Sequence, residues 1–429
     1  MNYLTRRCGN HLASVMLSLE QKLPITWAAC ACCAVFLMIA RVHAATVAPV
    51  SNLPMLVDFI EYWASARLLL AGQNPYSLPQ LLSLQQTVGW TATFPHIMWN
   101  PPWTLTFLIP FGWFNFSTAR LLWLGLLSVI TLFCAQHLWT LYGGPKSRYR
   151  IAWIMTFTFA PTIFALLLQQ IATLTLLGVV GFLHFEKQKW HKMAGASLVL
   201  VALKPHLYFI FWLVLFLWIL DRRRWDVLFG FAIGIVVTSA IPTAFNHRLF
   251  YEFVQLYFTA PFPTPFDQET PTLARALRHL VNIHNPLPQF LPACIGILWS
   301  GWHWKKYKSE WNWVQQVPLL LLASVTTNFF AWSADQVILL PALLQGTKWS
   351  MDAGLRAKVI VPATIYVITE LTIVLFKFFT PHDFWYFWLS LVWCFLYLSL
   401  RQTVLINDAI AIGESTLTQR EDVPGKPIE

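Results

Sequence analysis

Residues 98–114 read MWNPPWTLTFLIPFGWF, and whether this stretch crosses a membrane decides which side every later loop faces. The surrounding chain makes the question a membrane question. Of 429 residues, 57% are hydrophobic and only 11% are charged, with 23 Trp and 33 Phe. A soluble domain carries about 25% charged residues, so long apolar runs with charges at their ends predict a polytopic membrane protein. The stretch itself is apolar enough to span, but Pro101, Pro102 and Pro110 interrupt it. Prolines remove backbone donors and break helices, which suits a hairpin better than a lipid-exposed crossing. Read as a crossing, it would move every later basic cluster to the outer face.

Lysine and arginine positions support the hairpin reading. With the N-terminus inside, the cytoplasmic face receives Arg6, Arg7 and Lys22, then the clusters GGPKSRYR, EKQKWHK, DRRRW, KKYK and KWSMDAGLRAK, with Arg401 and the tail. Those segments hold 21 of the 29 basic residues, the bias expected of cytoplasmic loops. The formal charge of +10 is thereby assigned to membrane topology, and no nucleic-acid partner is expected.

The sequence predicts an all-α fold of about twelve spans, near 24–45, 118–141, 151–168, 170–185, 193–204, 205–220, 226–244, 288–304, 312–330, 333–347, 357–379 and 382–402. Residues 1–23 form a cytoplasmic segment, 24–404 the membrane domain and 405–429 a cytoplasmic tail. Outer loops run from about 46 to 117, partly helical, and from about 245 to 287. Arg6, Arg7, an apolar run and RVHAA also fit a signal peptide, and the later topology is the same either way. Seven cysteines show neither disulfide framework nor zinc spacing.

Just before the Pro-Pro hairpin stands DFIEYWASARLLLAGQNPY, residues 58–76. Taken as a helix from near Pro54 to Gly72, it places Asp58, Glu61, Tyr62 and Ser65 at i, i+3, i+4 and i+7, one polar face. An interfacial amphipathic helix with a solvated face has the same pattern.

These segments, followed by WNPPWTLTFLIPFGWFNFSTARLLW, LLLQQIATLTLLG, AGASLVLVALKPHLYFIFW and FFAWSADQVILLPAL, resemble glycosyltransferase family 87 of the GT-C superfamily over roughly residues 54–345. The matching positions are Asp58, Tyr62, Gly72, Asn74, Pro75, Tyr76, Pro101, Pro102, Ala119 and Trp123. Where the family has Gly-Gln, this chain has Gln169-Gln170.

The resemblance implies a GT-C-like enzyme that takes a sugar, mannose or a pentose, from a polyprenyl-phosphate donor. The acceptor is a glycolipid or glycan outside the cytoplasm, and the site sits at the inner (plasma) membrane, facing out. Asp58 matches the family's acidic residue and would act as general base. Inverting transfer needs a carboxylate on the acceptor side and donors on the departing phosphate. Lys204, at the end of an apolar run before Pro205 and His206, and Arg120 are the phosphate candidates, although a snorkelling role fits both. Glu61, Tyr62, Asn74, Tyr76, His96, Asn100, Gln170, His206 and Asp335 are candidates for sugar or acceptor contacts. Asp335 could equally pair with Lys204, since carboxylates near the membrane are usually paired or functional. Glu61 fits a salt-bridged surface role as well.

No Asp-x-Asp, Gly-rich phosphate loop or metal-ligand spacing occurs, so neither a cofactor nor a metal is expected. Two other readings remain. A polysaccharide polymerase or ligase would use a late outer loop such as the one bearing Arg248, Arg275, Arg278 and His279. A transporter would show internal repeats and paired broken helices, neither of which is evident.

Overall fold

The computed structural model describes residues 58–259, 268–353, 357–379 and 383–402. The expected first span at 24–45, the N-terminal segment and the tail from 405 lie outside the described residues. Among the described residues the chain is helical throughout, with no strand. Its helices are α1 (Phe59–Leu70), α2 (Leu78–Thr87), α3 (Leu105–Gly112), α4 (Phe116–Leu141), α5 (Tyr149–Thr158), α6 (Ala160–Leu167), α7 (Ala172–Lys187) and α8 (His191–Val201). They continue as α9 (Phe209–Arg222), α10 (Trp225–Phe245), α11 (Leu249–Thr259), α12 (Leu273–Val281), α13 (Leu291–Tyr307), α14 (Trp313–Thr326), α15 (Leu340–Ala353), α16 (Ala357–Phe379) and α17 (Asp383–Gln402).

Among the described residues, four helical segments are long and apolar enough to cross a membrane: Phe116–Leu141, Pro205–Arg222, Trp225–Phe245 and Asp383–Gln402. A fifth is the pair α5 and α6, if counted as one span bent by 68°. α4 shows what such a span looks like. Ala119, Trp123, Leu127, Cys134 and Leu138 form its buried stripe, while Leu121, Leu122, Val129 and Phe133 are exposed on the other side. Apolar side chains on every face mean protein on one side and lipid on the other. Asn115 starts the helix by accepting the Thr118 N–H, 3.0 Å.

Several expected spans are shorter or broken. α7 has 16 residues, α8 has 11 and α14 has 14, below the ~20 that a full crossing needs. Each stops at a polar junction: Gln169–Gln170 before α7, Lys204 after α8 and Asn328 after α14. Non-helical backbone at membrane depth is tolerated where protein surrounds it or a cavity lies beside it.

The Pro-Pro stretch forms a short helix, below the length of a full crossing. After a 3-10 turn at Pro102–Thr104, α3 has eight residues, roughly 12 Å. It is clamped to α1 by Trp63 Nε1 donating to the Phe114 carbonyl (3.0 Å) and Arg67 Nη1 donating to the Gly112 carbonyl (2.9 Å). Gly112 permits the approach, because a Cβ there would lie 2.8 Å from the Leu70 side chain and 3.1 Å from the Ala66 backbone. Trp123 of α4 fills the centre, with Phe59 at 5.7 Å and Phe111 at 5.0 Å between ring centroids. α1 therefore begins at Phe59, with Asp58 just before its first turn, rather than enclosing Asp58 as the sequence expectation had it.

Trp123 is wholly buried and also donates its Nε1–H to the Gln169 carbonyl, 2.9 Å. Trp123→Ala is expected to cost about 3–5 kcal/mol, read as a large drop in melting temperature of the purified protein. Trp123→Phe should fall between that variant and the parent chain.

Candidate active site

Four chain segments that are distant in sequence converge beside the N-terminus of α1. The Asp58 N–H donates to the Leu168 carbonyl, 3.0 Å, which ties the start of α1 to the end of α6. The Asp58 carboxylate accepts from Gln170 Nε2 at Oδ2 and faces His96 Nε2 at Oδ1, 3.3 Å. Gln170 Oε1 accepts from Lys204 Nζ at 2.7 Å and from the Tyr62 hydroxyl at 3.3 Å. Lys204 Nζ donates again to Asp335 Oδ1, 2.7 Å. Asp335 Oδ2 is held in turn by the Trp332 N–H, 2.9 Å. A single chain of bonds thus runs Asp335, Lys204, Gln170, Asp58, His96. Side-chain exposure rises along it, from 1% at Asp335 and 9% at Lys204 to 17% at Asp58 and 32% at His96. One end is buried and the other opens outward.

Local structure explains each placement. α6 ends in a left-handed residue, Gln169 with φ 58. The Gln170 N–H returns to the Ala165 carbonyl (2.8 Å) and the Gln169 N–H to that of Leu166 (3.2 Å), the bond pair of a Schellman turn. Glycine takes this conformation most easily. Lys204 follows α8, whose last carbonyls need donors. The Pro-Pro hairpin supplies them: Asn100 Nδ2 reaches the Leu203 carbonyl (2.9 Å) and Trp103 Nε1 that of Ala202 (3.2 Å). His206 is anchored through its carbonyl, which accepts from Asn328 Nδ2 at 2.7 Å, and its ring packs 5.5 Å from Phe330.

His96 is positioned by Gln85, which the sequence reading did not single out. Buried Gln85 donates to the His96 carbonyl (2.7 Å) and accepts its N–H (2.8 Å). The imidazole stacks on Trp90. Its Nε2 also lies 3.5 Å from Glu61 Oε2, so one ring nitrogen faces two carboxylates. Burial alone would lower the His96 pKa, but the Glu61 charge and the Asp58 hydrogen bond and charge outweigh it and raise it to about 9. Glu61 is pushed well above the usual carboxylate range, first by burial, with Asp58 adding to the rise and His96 opposing it. Glu61 is therefore an inward-facing member of the cluster rather than a solvated surface residue.

Other candidates make contacts of their own. Asn74 Oδ1 accepts the Tyr76 N–H (2.8 Å) in the turn after α1, and the buried Tyr76 ring packs 5.3 Å from Phe253 of α11. Arg120 is buried on α4, one turn before Trp123. Arg275 and His279 both bond to Glu269 a few residues earlier, at 2.5 and 2.7 Å.

Glu370 was also missed, although a lone carboxylate in the apolar run of α16 is itself a signal. Its Oε2 accepts the Ala160 N–H, 2.8 Å, at the break between α5 and α6. Glu370 thus caps one end of the eight-residue helix whose other end carries Leu168 and Gln170.

A family model described as glycosyltransferase family 87 matches residues 98–332, more than half of the chain. The match takes in Asn100, Arg120, Gln170, Lys204 and His206. It begins after Asp58 and His96 and ends before Asp335. Neither a curated protein nor a solved structure matches the chain.

Two outcomes follow from this geometry. Glu370→Leu leaves the Ala160 N–H without its acceptor, a loss of about 1–3 kcal/mol, whereas Glu370→Gln keeps an acceptor oxygen and should hold the melting temperature near that of the parent. The shifts at His96 and Glu61 have the same sign, because the folded chain holds protons that the unfolded chain releases. Stability should therefore fall as pH rises. The His96 contribution is complete below about pH 6.5 and is lost as pH passes through about 9. A melting-temperature series across that window should slope downward, and His96→Gln should flatten it.

Proposed function

Because the chain belongs to glycosyltransferase family 87, and is accordingly a membrane glycosyltransferase, we propose the following reaction. A sugar passes with inversion from a polyprenyl-phosphate donor to a glycolipid or glycan acceptor outside the cytoplasm, with Asp58 as general base. Mannose or a pentose is the proposed sugar. The proposed frame is the GT-C-like arrangement of about twelve spans in the inner membrane, with both termini inside. One observation carries the proposal: Asp58 and Lys204 are held by the two ends of the same glutamine amide.

The proposed step uses the two ends of that array differently. The acceptor hydroxyl attacks the anomeric carbon from the side opposite the phosphate. Asp58 takes the hydroxyl proton as the new C–O bond forms, and the old C–O bond breaks with its electron pair leaving on the phosphate. General-base help of this kind is worth typically 10²–10⁴-fold. Lys204 makes two bonds, and an ammonium has three donors, so one remains for a departing phosphate oxygen. Asp335 orients that ammonium. Buried polar groups without partners are costly, which favours a lysine already paired before substrate arrives. His96, at the open end, would exchange its contact with Asp58 for one with the incoming acceptor.

The test is a transfer assay with a panel of polyprenyl-phosphate sugars, read by mass spectrometry of extracted glycolipids. Asp58→Asn should lower kcat by about 10²–10⁴-fold in a protein that still folds. Glu61→Gln, which imitates the protonated side chain, should retain most activity at neutral pH. Full activity in Asp58→Asn would overturn the assignment of the base.

A further inference from the structure

At the end of α10 defined by Trp225, two tight turns lie side by side. One joins α7 to α8 through Lys189, the other joins α9 to α10 through Arg223. Both residues are left-handed, with φ 61 and 52. Each turn closes on the helix before it, by the Trp190 N–H to the Phe185 carbonyl (2.8 Å) and the Arg224 N–H to that of Ile219 (3.0 Å). α8 and α10 start here with their backbones in contact. A Cβ on Gly195 would overlap the Val227 carbonyl, and one on Gly230 that of Lys192. Between the turns is a cleft of about 350 Å³ lined by Lys189, Trp190, His191, Lys192, Met193 and Asp226.

The charge around the cleft is unbalanced. Residues 186–192 and 221–226 hold six lysines and arginines against Glu186, Asp221 and Asp226. Two of the acids are already engaged: Glu186 with His191 (2.8 Å), and Asp221 with Lys308 (3.2 Å). Lys192 lies 3.9 Å from Asp226, with both side chains largely exposed.

Depth is set by α10, whose 21 residues extend about 31 Å, the thickness of a hydrocarbon core. Its first residues therefore stand at headgroup level, and Trp190 and Trp225 are exposed there as interfacial tryptophans are. From the cleft an apolar track leads away along α10 through exposed Phe229, Ile233 and Val236, at helical spacing.

We infer that this cleft is a binding site for an anionic glycerophospholipid, distinct from the sugar-transfer site. The phosphodiester sits between Lys189 and Lys192, whose charge Asp226 partly offsets, and an acyl chain follows the Phe229–Ile233–Val236 track. A free phosphate would use the lysines but not the track. The basic turns belong to the side that the lysine and arginine bias marks as cytoplasmic, where anionic lipids attract such clusters.

The experiment uses the full chain in nanodiscs of phosphatidylcholine doped with phosphatidylglycerol, followed by native mass spectrometry of the lipid retained after release into detergent. Each lysine near an anionic surface contributes about a factor of five. The double variant Lys189→Gln/Lys192→Gln should therefore lose phosphatidylglycerol retention by more than about tenfold. A control with the same charge change, Lys305→Gln/Lys306→Gln, should keep it. Asp226→Asn should raise retention, a gain that misfolding does not produce. Millimolar inorganic phosphate should not displace the lipid. Unchanged retention in the cleft variant, equal loss in the control, no gain in Asp226→Asn, or displacement by inorganic phosphate would each overturn the site.

Discussion

The Gln170 amide is the interaction on which the described site depends. Its nitrogen donates to Asp58 and its oxygen accepts from Lys204 and Tyr62, so it joins an acid and a base without letting them neutralise each other directly. A direct Asp–Lys contact would leave each group satisfied by the other. Separated by a neutral amide, Asp58 and Lys204 each keep bonding capacity for a substrate. Lys204 does have a direct acidic partner in Asp335, and the deep burial of that pair makes loss of either member costly.

Holding that amide in place accounts for much of the irregular backbone. Gln170 follows a left-handed residue at the end of α6, a helix only eight residues long. Trp123 ties the turn to α4, Asp58 ties it to α1, and Glu370 caps the opposite end of α6. Lys204 and Asp335 likewise sit outside regular α-helix, before and within 3-10 turns. Short and broken helices follow, because a continuous 20-residue helix would carry each of these side chains past the meeting point.

The outward end of the array differs in character from the buried end. His96 faces Asp58 and Glu61 together, which places a mobile proton beside the carboxylate assigned as base. The buried end has a fixed ion pair. The asymmetry suits a reaction in which one partner gives up a proton and the other departs as an anion.

Composition and charge position were enough to establish a helical membrane chain, since both follow from transfer energetics that act residue by residue. Pro101 and Pro102 also marked a break in regular helix, where the structure has a 3-10 turn at Pro102–Thr104. Asp58, Glu61 and Tyr62 were legible as one polar group at the start of a helix, and Lys204 with Asp335 as a candidate pair. The linking role of Gln170, the support from Gln85 and the cap from Glu370 were not legible. Each depends on contacts between residues tens to hundreds apart, and a polar side chain in an apolar run looks the same whether it bonds its own helix or a distant one. Span lengths were misjudged for the same reason: hydropathy registers apolar content, while the breaks at Gln169 and Lys204 come from hydrogen bonds to other segments. Sequence by itself determined the solvent this protein folds in and the side chains available for chemistry. Tertiary structure alone decided which of them meet, because directional hydrogen bonds need geometry that no local pattern encodes.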